Sequence, residues 1–194
     1  MTTPYGGVEI GGTKINCVSA AGPDAILAER RIPTTDAAAG LSQAVEFFRE
    51  HPVAAIGVGC FGPMVLDSGS PSYGQLRTCS KPGWSHADLL APFAPLGVPL
   101  ALETDVGVAL LGEAAWGAAA DCHSAVYLTV GTGIGGAAML AGQILHGRMH
   151  PEMGHIPLAR EPGDDFPGCC PFHGGCLQGL ASGKAMQQRW SCRA

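Results

Sequence analysis

The residues best suited to chemistry lie late in the chain. Cys170-Pro-Phe-His173-Gly-Gly-Cys176 places three metal-ligand side chains at two-residue gaps, and such gaps let one loop wrap a tetrahedral ion. His155 would be the fourth ligand, and Cys169 competes with Cys170. Four protein ligands close the coordination sphere, so the expected ion is a structural Zn²⁺ that orders a loop rather than one that activates water. The plainer alternative is a loop of reduced thiols. Glu152 sits three residues before His155, and a carboxylate beside a zinc-ordered imidazole suits sugar hydroxyls; otherwise it is a solvated Glu. His86, His146 and His150 stand alone and receive no role.

Two glycine-rich turns come next. Gly11-Gly12-Thr13-Lys14 follows a strand that carries Glu9. Its N–H groups, the Thr13 hydroxyl and the Lys14 charge could hold phosphate oxygens, with Glu9 reaching a hydrated Mg²⁺. An ordinary hairpin turn explains the same residues. Gly131-Thr132-Gly133-Ile134-Gly135-Gly136 is denser, and a strand rather than a helix follows it, which excludes a dinucleotide fingerprint. Paired, the turns suggest two backbone cradles closing on a polyphosphate. Asp105 sits right after a buried strand and opens a helix. Helix cap and general base toward a substrate hydroxyl are equally open there.

These groups need elements to position them. Strands are expected at Gly7–Ile10, Lys14–Ala20 and Ile26–Ile32. A helix capped by Thr35 or Asp36 follows, with Leu41, Ala44, Val45 and Phe48 on one face. Val53–Val58 and Pro99–Glu103 read as buried strands. Between them lies a long Gly/Pro/Ser-rich loop from Cys60 to Pro82 and a short helix capped by Ser85. A helix from Asp105 to about Ala120, a second strand–glycine-turn–strand unit and a last helix from Ser182 to Trp190 complete the reading.

Composition narrows the class. The chain has 194 residues, 46% of them hydrophobic and 14% charged, which excludes a disordered chain. The 29 glycines follow no three-residue period, which excludes collagen. A net charge of -5 argues against nucleic-acid binding. Ala125 to Leu145 carries no formal charge, but its glycines and β-branched residues favour strands over a membrane helix. The N-terminus is no signal peptide, and the clustered Cys and His fit a soluble cytoplasmic protein.

Taken together, the residues resemble the ROK sugar kinases, and within them the bacterial fructokinase branch. The matching pieces are Glu9–Lys14, Ile56–Pro63, Gly69–Gly74, Lys81–Trp84, Thr104–Gly112, Gly131–Gly136, His150–Ile156 and Cys170–Gly183. Gly69–Gly74 (GSPSYG) with the CPFHGGC run marks the fructokinase branch. The resemblance implies an α/β chain of the actin-like, ribonuclease H-like ATPase fold with two lobes, the second incomplete. Residues 1–121 would form the first lobe and 122–194 part of the second.

The implied reaction is ATP-dependent phosphorylation of fructose at its 6-hydroxyl, with Asp105 as base. The resemblance puts Thr104, Gly62, Glu152, His155 and Gln178 on the sugar. It puts Glu9, Gly11, Gly12, Thr13, Lys14, Gly131, Thr132, Gly133 and Lys184 on Mg-ATP, and His155, Cys170, His173 and Cys176 on zinc. Expected partners are a small-molecule sugar and ATP, without nucleic acid or membrane, and with homodimerisation open. The alternatives are a catalytically silent sugar- and zinc-binding chain, and a glucose- or mannose-preferring kinase. Gly107 stands where the family usually has Asn, Gln178 where it has Glu, and Lys184 where it has Pro. Family members are longer, and the Ser-Cys-Arg-Ala ending is unlike theirs, so a C-terminally truncated member is expected.

Overall fold

The computed structural model describes residues 3–147 and 149–191; Cys192 and the two residues after it lie outside them. The chain divides into two compact units, one of residues 3–108 with 149–150, the other of 109–147 with 151–191.

The first unit is built on a five-stranded sheet in the order β3-β2-β1-β4-β5. Its strands are β1 (Tyr5–Ile10), β2 (Lys14–Ala20), β3 (Ile26–Pro33), β4 (Ile56–Cys60) and β5 (Leu100–Thr104). Short turns join β1, β2 and β3, so these pair antiparallel. β4 lies parallel to β1 because helix α1 (Ala37–Glu50) carries the chain back across the sheet. β5 extends the parallel set. Along β2 the side chains alternate, burying Ile15, Cys17 and Ser19.

Asp36 caps α1 by accepting from the Ala39 N–H at 2.9 Å. Leu41, Ala44, Val45 and Phe48 are buried as their spacing predicts, and Phe47 joins them. The rings of Phe48 and Phe93 meet edge to face at 6.2 Å. Trp84 is fully buried, and its indole N–H donates to the Thr35 carbonyl at 3.1 Å. It anchors the long loop against the start of α1.

Two local expectations fail here. β4 begins at Ile56 rather than Val53, although Val53 is buried. No helix forms over residues 85–90. The Ser85 hydroxyl accepts instead from the Cys79 N–H at 3.1 Å. Leu76 N–H donates to Ala87 O at 2.9 Å, and Gln75 bridges to Asp88. Long-range pairing thus outcompetes a local cap. Asp88 starts a 3-10 turn over Ala91–Leu96, accepting from the N–H groups of Leu90 and Ala91.

Helix α2 (Asp105–Trp116) crosses the division. The second unit holds a three-stranded sheet, β6 (Ser124–Val130), β7 (Ile134–Leu140) and β8 (Gln143–Ile144), in that order. The uncharged stretch from Ala125 to Leu145 is therefore a hairpin. Among the described residues no helix is long and apolar enough to cross a membrane. β6 lies at the sheet edge with Val126, Leu128 and Val130 exposed. A short helix α3 (Leu177–Ala181), missed by the sequence reading, precedes α4 (Gly183–Trp190). Ser182 caps α4 by accepting from Ala185 N–H.

Candidate active site

In the first unit, strand register assembles the site. β1, β4 and β5 run parallel, with Ile10 opposite Cys60 and Cys60 opposite Thr104. All three strands therefore end together. The Gly11–Lys14 turn, Gly62 and Asp105 leave from one edge of the sheet, the carboxyl edge, where open α/β sheets bind ligands.

The first glycine turn is tied down from behind. Gly11 O accepts from the Thr34 hydroxyl at 2.9 Å, Gly12 O from Lys81 Nζ at 2.8 Å, and Thr13 O from Thr34 N–H at 3.1 Å. Gly11 N–H closes the hairpin on Lys14 O at 2.9 Å. With three carbonyls engaged, the Gly12 and Thr13 N–H groups have no intramolecular partner among the described residues. Gly12, Thr13 and Lys14 are exposed. Such a turn offers donors to an anion. Glu9 is also exposed and accepts from Asn16 Nδ2 at 2.6 Å. Lys81 falls in one of the family-matching pieces and Thr34 in none, and the partner of neither is readable, because the partners lie 23 and 69 residues away in sequence.

Asp105 is half-buried at the first position of α2, and its Oδ1 accepts from Val106 N–H at 2.9 Å. Thr104 is buried; its hydroxyl accepts from Gly107 N–H at 2.9 Å and faces Glu103 Oε1 at 3.1 Å. Thr104, not Asp105, thus caps the third N–H of the helix. Glu103 Oε1 also accepts from Thr104 N–H at 2.7 Å. The Glu103 side chain fills the room over Gly107, where an added Cβ would lie 2.5 Å from its Cγ. Burial raises the Cys60 thiol pKa well above its usual value, and the nearby Asp105 and Cys79 push it further. The long loop is held by His150, which is 8% exposed and accepts at Nε2 from Met64 N–H at 3.3 Å. That histidine was invisible as a partner in the sequence.

In the second unit, His155, Cys170, His173 and Cys176 bring one ligand atom each to within 4.8 Å of one another. His155 Nδ1 lies 3.5 Å from each of Cys170 Sγ and Cys176 Sγ and 3.2 Å from His173 Nδ1, while Cys170 Sγ lies 3.8 Å from His173 Nδ1. Metal–sulfur and metal–nitrogen bonds of about 2.3 and 2.05 Å in a tetrahedron give edges of about 3.6 Å for S···N and 3.3 Å for N···N. The donor set and its spacing therefore fit a tetrahedral ion. The pair of thiols is uneven. Burial raises both, but backbone N–H groups of Phe172 and His173 bring Cys170 below its usual value, while burial and the Cys170 sulfur leave Cys176 above it. Cys169 lies instead 4.0 Å from the Ser182 hydroxyl.

Close backbone approaches set this cluster. Gly154 packs so tightly on β7 that a Cβ there would lie 1.8 Å from Ile134 O, which fixes the short turn Met153–His155. Glu152 is exposed at the start of that turn. Gln178 on α3 accepts from Ile134 N–H at 3.0 Å, and Gly183 N–H donates to Gly131 O at 2.7 Å. The second glycine turn is thus tied to α3 and to the amino end of α4. Thr132 and Lys184 are exposed there, and Gly133 lies against the Gln178 carboxamide.

Over 194 aligned residues the chain is 43% identical to a fructokinase of Zymomonas mobilis subsp. mobilis, covering 96% of this chain and 64% of that protein. It is 40% identical to a putative fructokinase of Bacillus subtilis, covering 97% of this chain and again 64% of the relative. The chain thus spans just under two thirds of the length of these relatives. Among solved structures, a Streptomyces griseus ROK family glucokinase in complex with glucose and AMPPNP superposes with a TM-score of 0.75 at 27% identity, over 95% of this chain and 59% of that one. A Thermus thermophilus ROK hexokinase gives 0.71 at 31% identity, over 98% and 65%. These neighbours share the α/β fold of actin-like ATPases found here. The ROK family model matches residues 5–193, and the chain belongs to the ROK family.

Proposed function

We propose that this chain carries the sugar-phosphorylating machinery of an ATP-dependent hexose kinase with fructose as preferred substrate. The observation that supports it most is the common carboxyl edge of β1, β4 and β5, which puts the glycine turn, Gly62 and Asp105 side by side. The fructokinase relatives at 40–43% identity favour fructose.

In this reading Thr104 and Gly62 flank the sugar, and Asp105 takes the proton of its 6-hydroxyl. The oxygen attacks the outermost phosphorus of ATP, the bond to the bridging oxygen breaks, and ADP leaves. Positioning and charge neutralisation do most of such work. The Gly12 and Thr13 N–H groups and Lys14 meet phosphate oxygens. In the second unit, Gly131, Thr132 and Gly133, with Lys184 and the α4 amino end adding positive potential, form a further set of groups suited to phosphate oxygens. Glu9 would hold a hydrated Mg²⁺, which would supply charge neutralisation on the phosphates.

Zinc is the ion we assign to the Cys/His cluster, as a structural centre. His155 gives Nδ1 to the cluster, which leaves Nε2 to hydrogen-bond a sugar hydroxyl beside Glu152, with Gln178 adjoining. We place the protein in the cytoplasm, where ATP is available and where seven cysteines without a disulfide among the described residues are in keeping with a reducing milieu.

The test is ADP formation from Mg-ATP with fructose, glucose and mannose. Fructose-dependent ADP should appear, and Asp105→Asn should lower it by roughly 10²–10⁴. An unchanged rate in that variant would remove Asp105 as base, and fructose binding without ADP would make the chain a binder only. A glucose or mannose preference is the second reading, favoured by matches to glucokinases at 27–28% identity.

A further inference from the structure

The loop after β4 encloses a depression of about 540 Å³, within the range of small-molecule sites. Its walls are mostly polar: Ser70, Ser72, Gln75, Arg77, Thr78 and His86 face it, beside an apolar strip of Pro63, Val65 and Leu76. No Asp or Glu lines it, in a chain of net charge -5. The carboxylates nearest in sequence are occupied with backbone. Asp67 Oδ1 accepts from Gly69 N–H at 2.9 Å, and Asp88 Oδ1 from Leu90 and Ala91 N–H at 3.0 and 2.8 Å. Arg77 is fixed at its root by N–H donation to Pro63 O at 2.8 Å, while its side chain is exposed.

A second observation concerns His86. It occupies the third position of a turn closed by Ala87 N–H on Trp84 O at 3.1 Å, and its φ is 65°. Glycine is the residue suited to that backbone, and an imidazole there costs strain. His86 is exposed, so core packing does not account for it. Its ring instead lies 3.5 Å from the Thr78 hydroxyl at the rim of the depression.

We propose that this depression is a second binding site, selective for a phosphomonoester of a sugar or similar polyol. The guanidinium of Arg77 and the imidazole of His86 take the phosphate. Ser70, Ser72 and Gln75 hydrogen-bond the polyol hydroxyls. The site does not depend on the kinase reading. A sugar phosphate is also that reaction's product class, so the experiment must report location as well as affinity.

The full chain is titrated with fructose 6-phosphate, inorganic phosphate and fructose, by calorimetry and by amide chemical shifts. Fructose 6-phosphate should bind more tightly than inorganic phosphate, with shifts at Thr78 and His86, and fructose alone should leave the His86 amide unmoved. Arg77→Ala should weaken binding at least about tenfold. His86→Gly should weaken it similarly while raising Tm, because the strain is relieved. Any of four results overturns the proposal: no binding at about 10 mM, shifts confined to residues 11–14 and 131–133, undiminished affinity in Arg77→Ala, or a lowered Tm in His86→Gly. Equal affinity for inorganic phosphate overturns the polyol half and makes the ligand the free anion.

Discussion

Removing the zinc proposed for the Cys/His cluster should unfold one segment and spare another. Between residues 151 and 181 the buried residues are Gly154, Cys170, Cys176 and Gly179. No large aliphatic or aromatic side chain is among them, so the 1.5–3 kcal/mol that each such burial contributes elsewhere is missing. Ordering costs about 1 kcal/mol or more per residue against that. Structural zinc contributes on the order of 10–16 kcal/mol in small domains. An ion in the cluster would therefore be the term on which this segment's order depends.

A high-affinity chelator, followed by hydrogen–deuterium exchange, should abolish protection over residues 151–181. Protection in β1, β4 and β5 should remain, because Ile10, Val58 and Phe47 belong to a separate core. Cys170 and Cys176 should become reactive to a thiol reagent at the same time. Cys176→Ser should reproduce the pattern, with metal affinity lowered beyond the 10–100-fold typical of losing an outer partner. Purified protein holding no zinc, or full protection after chelation, would refute the reasoning.

Other consequences are open to measurement. Gly154→Ala forces a Cβ against Ile134 O, so it should displace His155 and lower the metal content of purified protein without altering the first unit. Trp84→Ala empties a fully buried site and should cost about 3–5 kcal/mol in denaturant unfolding; a loss under 1 kcal/mol would contradict the anchor role. Asp164 contacts Arg189, whose hydrogen bond and charge, with a backbone bond from Phe166, hold its carboxyl below the usual 3.8. A lowered folded-state pKa gives stability that is present above 3.8 and lost as pH falls through the folded value. Followed by an NMR pH titration, the Asp164 carboxyl should accordingly take up its proton below pH 3.8, and Arg189→Met should move that titration upward.

Local chemistry was legible where it acts over a few residues. Asp36 before an i, i+3, i+4, i+7 apolar face announced α1, and Ser182 announced α4. The two-residue gaps of the Cys/His run likewise placed Cys170, His173 and Cys176 on one loop. Contacts across the sequence were not legible. Nothing near Thr34, Lys81 or His150 reveals that they clamp Gly11, Gly12 and Met64. Glu103 folds over Gly107 because α2 starts directly after β5, and that needs the helix direction as well as the residue types. Ser85 misled because its hydroxyl found Cys79 before it found a helix end.

The glycine hairpin between β1 and β2 is not a self-contained device. Its peptide oxygens are turned away from solvent by side chains that arrive from the end of β3 and from the far limb of the long loop. A short peptide copied from residues 9–16 and grafted elsewhere would keep every glycine and still lose the orientation. Libraries that vary only that hairpin would sample its flexibility and leave its aim untouched, whereas changes at Thr34 or Lys81 would retune it at a distance.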